Sequence, residues 1–115
     1  MRNIDKYLSL LNDEVDGLLL TSPYSRYYGA EFEISEGVAV VSKKGCRYFT
    51  DSRYIEVAEK NLPDFTVQIV DREHSYVNRI NDAIAAHNPQ TIGFEERYLT
   101  YGEFMHYSDA LHAQL

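Results

Sequence analysis

A chain of 115 residues, 44% hydrophobic and 13% aromatic, has the size and composition of one compact domain and lies outside the disordered class. A net charge of −7 repels phosphate backbones and anionic lipid surfaces, which argues against nucleic acid and membrane as partners. The longest apolar runs, residues 17–20 and 37–41, fall far short of the roughly 20 residues of a membrane span.

Ile4, Tyr7, Leu8 and Leu11 recur at helical spacing and predict a short helix ending near Asn12 and Asp13. Residues 17–21 read as a buried strand stopped by Ser22-Pro23. Residues 24–36 carry Tyr24, Tyr27, Tyr28, Phe32 and Ile34 without a clean period, which predicts a helical turn followed by a loop. Residues 38–41 and 47–50 flank Lys43-Lys44-Gly45, the pattern of a hairpin with a three-residue loop and Gly45 at its positive-φ position. Asp51 or Ser52 then caps a helix bearing Ile55, Ala58 and Leu62, with Pro63 beyond its end.

Residues 66–70 form a further strand, and Tyr76, Val77, Ile80 and Ile84 share a helix face that Asn88-Pro89 closes. After a short strand at residues 91–94, Thr100 and Glu103 have the spacing of a capping box. The helix they start, with Phe104, Tyr107 and Leu111 inward, is predicted to run to the chain end at Leu115. Helices alternating with strands, plus one hairpin, specify a single three-layer α/β domain whose mixed sheet has about five strands.

The chemistry on this scaffold is sparse. The six glycines form neither G-x-G-x-x-G nor G-x-x-x-x-G-K, so a phosphate-cradling loop is excluded. Cys46, the single cysteine, has no partner for an internal disulfide and reads as a small hydrophobe in the hairpin. No basic segment followed by an apolar run opens the chain, and with the lone thiol this points to the cytoplasm. Glu103, His106, Asp109 and His112 have metal-like spacing on one helix, but a helix that also carries core-facing Phe104, Tyr107 and Leu111 turns such a set toward solvent. His74 and His87 read as exposed. Asp13, Glu14 and Asp16, and Glu95 with Glu96, read as surface charge in loops. No catalytic set and no metal site is assigned.

Three segments in order carry a family resemblance. They are Asp16-Gly17-Leu18-Leu19-Leu20-Thr21-Ser22-Pro23 with Arg26-Tyr27-Tyr28 and Phe32; Ser35-Glu36-Gly37 leading into the hairpin, then Thr50-Asp51-Ser52-Arg53-Tyr54 with Ala58; and Ile92-Gly93-Phe94-Glu95 with Leu99-Thr100-Tyr101. Together they resemble the N-terminal domain of the creatinase, prolidase and aminopeptidase P family of Xaa-Pro peptidases, over nearly the whole chain. Ser25, Gly29 and Ala30 depart from that pattern, and Glu31 stands where Gly is common.

The resemblance implies a creatinase/prolidase-type N-terminal domain over residues 1–115. A pita-bread catalytic domain that holds two divalent metal ions (Mn, Co or Zn) would lie outside this chain. It further implies a homodimer, contacts with its own C-terminal catalytic domain, and short proline-containing peptides as substrates of the parent, with this piece inactive alone. Arg26, Tyr28, Glu31 and Phe32 are the substrate-entrance candidates. Asp51, Arg53 and Tyr54 form a structural motif. A peptidase-like protein-interaction domain and a creatinase-type amidinohydrolase domain remain the alternatives.

Overall fold

The computed structural model describes residues 2–95 and 97–115. Its elements are α1 (Asn3–Leu8), β1 (Gly17–Leu20), α2 (Pro23–Ala30), β2 (Val38–Ser42), β3 (Gly45–Thr50), α3 (Ile55–Asn61), β4 (Thr66–Ile69), α4 (Tyr76–His87), β5 (Ile92–Gly93) and α5 (Tyr101–Ala110). The five strands form one mixed sheet in the order β4-β3-β2-β1-β5, parallel at both outer pairs and antiparallel between β1, β2 and β3.

Successive side chains of a strand point to opposite faces, so the sheet is lined on both sides. Leu20, Ala39, Val41 and Tyr48 meet Ile4, Ala30, Ala58 and Leu62 on one face, under α1, α2 and α3. Leu19, Val38, Val40 and Phe49 meet Ile80, Ala83, Ile84 and Leu111 on the other, under α4 and α5. This is the predicted three-layer domain. A sheet covered on both faces explains why β1 and β2 read as unbroken apolar runs instead of alternating.

Several boundaries differ from the sequence reading. The first helix stops at Leu8, because the Asn12 side chain bends the following segment by accepting from the N–H groups of Glu14 and Val15, both at 2.8 Å. Residues 23–30 are a full helix in place of the expected single turn, and the expected loop is confined to residues 31–37: the Ser22 hydroxyl accepts from Ser25 N–H, and Pro23 occupies the first helical position, where its missing donor costs nothing. The hairpin turn is the two residues Lys43-Lys44, since Gly45 already pairs with Ser42. A Cβ at Gly45 would stand 2.6 Å from the His87 ring, so any other residue there has to displace the imidazole.

The third helix starts at Ile55 with Tyr54 at its N-cap position and no side-chain cap, so Asp51 caps nothing. Its carboxylate instead shapes the turn before the helix, accepting from Arg53 N–H at 3.0 Å and pairing with the Arg53 guanidinium at 2.6 Å. That guanidinium lies 5.1 Å from the centre of the half-buried Tyr54 ring. The predicted capping box at Thr100 and Glu103 is present. The last helix nevertheless ends at Ala110: Asn81 of α4 donates to Ala110 C=O (3.1 Å) and accepts from His112 N–H (2.9 Å), turning the chain so that Gln114 bridges to Thr91 beside β5.

His87 is half-buried, not exposed. Arg47 Nε donates to its Nε2 at 3.1 Å, an arrangement that requires a neutral imidazole. Burial, then the neighbouring Arg47 and Lys44 cations, lowers its pKa below the ordinary 6.5. Between the lowered folded value and the ordinary one the unfolded chain binds more protons. The stability from this contact is therefore complete above the ordinary value and is lost as pH falls through the folded one. His87→Gln, which keeps an acceptor, is expected to flatten the decline in urea midpoint between about pH 7.5 and about pH 5. Equal declines in the two proteins would count against the contact.

Candidate functional site

Parallel pairing of β1 with β5 brings their C-terminal ends side by side, so Thr21-Ser22-Pro23 and Phe94-Glu95 meet at one edge of the molecule. Glu95 is the junction. One carboxylate oxygen accepts from the N–H groups of Thr21 (2.9 Å) and Ser22 (3.0 Å), and the other accepts from the Ser25 hydroxyl (2.8 Å). Burial raises its pKa, but these bonds from Ser22, Ser25 and Thr21 together outweigh burial and hold the carboxyl below its ordinary value. The surface-charge reading of Glu95 is corrected accordingly, and Glu96 lies outside the described residues. Asp16 stays near the surface but also pins the chain, its carboxylate accepting from the N–H groups of Gln90 and Thr91 just before β5, each at 2.9 Å.

The four entrance candidates sit around α2 but do not converge. Arg26 is only 5% exposed, and its Nη1 donates to Ile34 C=O (3.0 Å) and to the Tyr48 hydroxyl (2.8 Å). Arg26, an entrance candidate, is thus an internal residue of the domain. Tyr28 is on the outer face of α2, edge-on to Tyr7 at 5.5 Å. Glu31 ends α2 in the left-handed conformation with φ 59°, and its carboxylate accepts from Asn3 N–H (3.0 Å) and pairs with Arg2 (3.1 Å). Phe32 packs half-buried against the core under α1 and α2.

Tyr28 and Glu31 share a hollow of about 530 Å³ with Asn3, Tyr24 and Tyr27. A second, of about 420 Å³, lies across Tyr24 and is lined by Ser25, Glu95, Arg97 and Tyr98. Arg26 lines neither of them. Tyr24 and Tyr27, 84% and 54% exposed, are the surface residues that the candidate set lacked. Their spacing with Tyr28, at i, i+3 and i+4, was the available signal, once Ser22-Pro23 is recognised as a helix start. Glu103, His106 and Asp109 are exposed, as their helix face predicted, and His112, past the end of α5, is exposed as well.

A family model for the creatinase/prolidase N-terminal domain matches residues 4–115. The chain belongs to that family. An uncharacterised peptidase of Bacillus subtilis, YqhT, is 32% identical over 94 residues, which is 82% of this chain and 26% of that protein. A solved Xaa-Pro dipeptidase from Bacillus anthracis is 29% identical and superposes with a TM-score of 0.87 over 97% of this chain and 31% of its own. The N-terminal domain of the cytoplasmic peptidase PepQ from Mycobacterium tuberculosis, 22% identical, shares the fold with a TM-score of 0.76, covering 98% of this chain and 85% of that one. The creatinase/prolidase N-terminal chain thus spans under a third of the B. subtilis and B. anthracis proteins. No helix among its described residues is long and apolar enough to cross a membrane.

Proposed function

We propose that this chain is the non-catalytic N-terminal domain of a cytoplasmic, homodimeric Xaa-Pro peptidase, and that the outer face of α2 with Glu31 forms part of the entrance for short proline-containing peptides. The observation that carries the reading is the similarity to the B. anthracis Xaa-Pro dipeptidase along 97% of this chain. In support, the edge where β1 and β5 end carries an exposed tyrosine surface set by a rigid helix, the kind of placement that suits recognition.

Two divalent ions (Mn, Co or Zn) belong to the proposed catalytic domain. Among the described residues no three His, Cys, Asp or Glu side chains come together in a ligand set, so this chain's own groups do not fit them. What α2 supplies is shape: Tyr24, Tyr27 and Tyr28 present broad, stiff surface at low entropic cost, and the Glu31 carboxylate, held by Arg2 and Asn3, adds charge at its end.

The test is kinetic, on the full-length parent assayed with Mn, Co and Zn against Xaa-Pro dipeptides and tripeptides. Tyr28→Ala combined with Glu31→Ala is expected to raise KM by about fivefold and leave kcat unchanged, the signature of lost binding rather than lost chemistry. Unchanged KM on both substrates would remove α2 from the entrance. A parent that cleaves no Xaa-Pro bond would overturn the peptidase reading, and turnover of creatine would replace it with amidinohydrolase chemistry.

A further inference from the structure

A third cavity, of about 290 Å³, lies on the inner side of α2 and has no part in the entrance proposed above. Its lining includes Thr21 and Arg26, the two residues among those described whose buried side chains each keep a polar atom without a hydrogen-bond partner, Thr21 Oγ1 and Arg26 Nε. Such atoms cost stability when nothing satisfies them. Arg26 is more demanding still. The residue is 5% exposed, and its guanidinium hydrogen-bonds through Nη1 alone and pairs with no carboxylate of the described residues. Buried charges are ordinarily paired. Unused N–H donors and an unused hydroxyl on residues that line one cavity suit an acceptor, and a carboxylate would also supply the missing negative charge.

The rim has the opposite sign. Glu36 and Glu103 are exposed there, each engaged through Oε1 only, Glu36 accepting from the Tyr76 hydroxyl (3.1 Å) and Glu103 from Thr100 N–H (3.0 Å). Two carboxylates would repel a phosphate or any multiply charged anion, but they suit a cation lying beside the bound carboxylate. A floor that favours an anion and a rim that favours a cation select a zwitterion. The volume, just under the ~300–1,000 Å³ of typical ligand pockets, suits one of amino-acid size.

We propose that this cavity binds a free α-amino acid, with its carboxylate taken by Arg26 and Thr21 and its ammonium group by Glu36 and Glu103. The site needs no metal and no second domain.

The experiment is a titration of the ¹⁵N-labelled 115-residue chain with L-alanine, with propionate, which lacks the ammonium group, and with ethylamine, which lacks the carboxylate. L-Alanine is expected to shift the Arg26 Nε–H and the amides of Thr21, Gly37 and Val38 saturably, with Kd on the order of 1 mM, and each single-charge analogue to bind at least about tenfold more weakly. Thr21→Val keeps the side-chain shape and removes the orphaned hydroxyl, so it is expected to hold or raise the thermal midpoint while weakening L-alanine about tenfold. Glu36→Gln, on the exposed rim, is expected to weaken L-alanine but not propionate. Three results would each overturn the proposal: no saturable shift with L-alanine, propionate binding as tightly as L-alanine, or a Thr21→Val chain that melts lower yet keeps the L-alanine shifts. The last would mean that the hydroxyl serves the fold through water.

Discussion

Arg26→Ala is expected to lower the unfolding free energy by about 3 kcal/mol, the largest effect of any single polar substitution in this domain. Two losses combine. The Tyr48 hydroxyl, on a residue 1% exposed, and the Ile34 carbonyl each lose the donor they share on Nη1. The buried aliphatic stem leaves a void that its surroundings cannot fill without moving. A contrary effect reduces the sum, because the variant no longer buries a charge that has no counter-ion. Arg26→Met separates these contributions: it fills the stem's volume and removes the charge, and is expected to recover at least half of the loss. Urea unfolding of the three proteins, followed by circular dichroism, measures both differences. An Ala variant as stable as the parent chain would show that the guanidinium contributes nothing net to the fold and that its burial has to be explained by ligand binding alone.

The sequence made the apolar framework legible because that framework is written locally. Leu19 and Leu20 in β1 and residues 38–41 in β2 mark strands lined on both faces, Ile80 and Ile84 mark the inner face of α4, and Thr100 with Glu103 marks the start of α5 within four residues. The site was far less legible, since its polar groups answer to partners remote in sequence. Arg26 finds Tyr48 across 22 positions, Arg47 finds His87 across 40, and Glu95 finds Thr21 across 74. No periodicity encodes such pairs. The end of α5 failed for the same reason, being fixed by Asn81 on a different helix. The α2 helix is a different failure, because its signal was local. Ser22 followed by Pro23 both ends a strand and starts a helix, and the two meanings fall on the same pair of residues.

Glu95→Ala is expected to cost about 2 kcal/mol and to loosen the edge on which the tyrosine surface stands. The carboxylate closes three hydrogen bonds at once, two from backbone N–H groups in the turn between β1 and α2 and one from Ser25 in the first turn of the helix. Three bonds to a fully buried charge would be worth more, but Glu95 is half-exposed, so water takes up part of the loss and the figure is set at the lower end. The pH dependence has a defined sign. The folded pKa lies below the ordinary 4.5, so the stabilisation is fully present above that value and is lost as pH falls through the folded one. Glu95→Gln is isosteric and still offers one acceptor oxygen, and is expected to retain part of the stability while removing this acid-side contribution. Thermal midpoints at about pH 7 and about pH 3.5 decide it, with the gap between the parent chain and the Gln variant expected to narrow at the lower pH. A gap of constant size would mean that Glu95 acts through shape and not through charge. Amide exchange at Ser25 and Arg26 gives an independent reading: if the junction anchors α2, both protons exchange faster in Glu95→Ala, while those of Ile80 and Ile84, across the sheet in α4, stay protected.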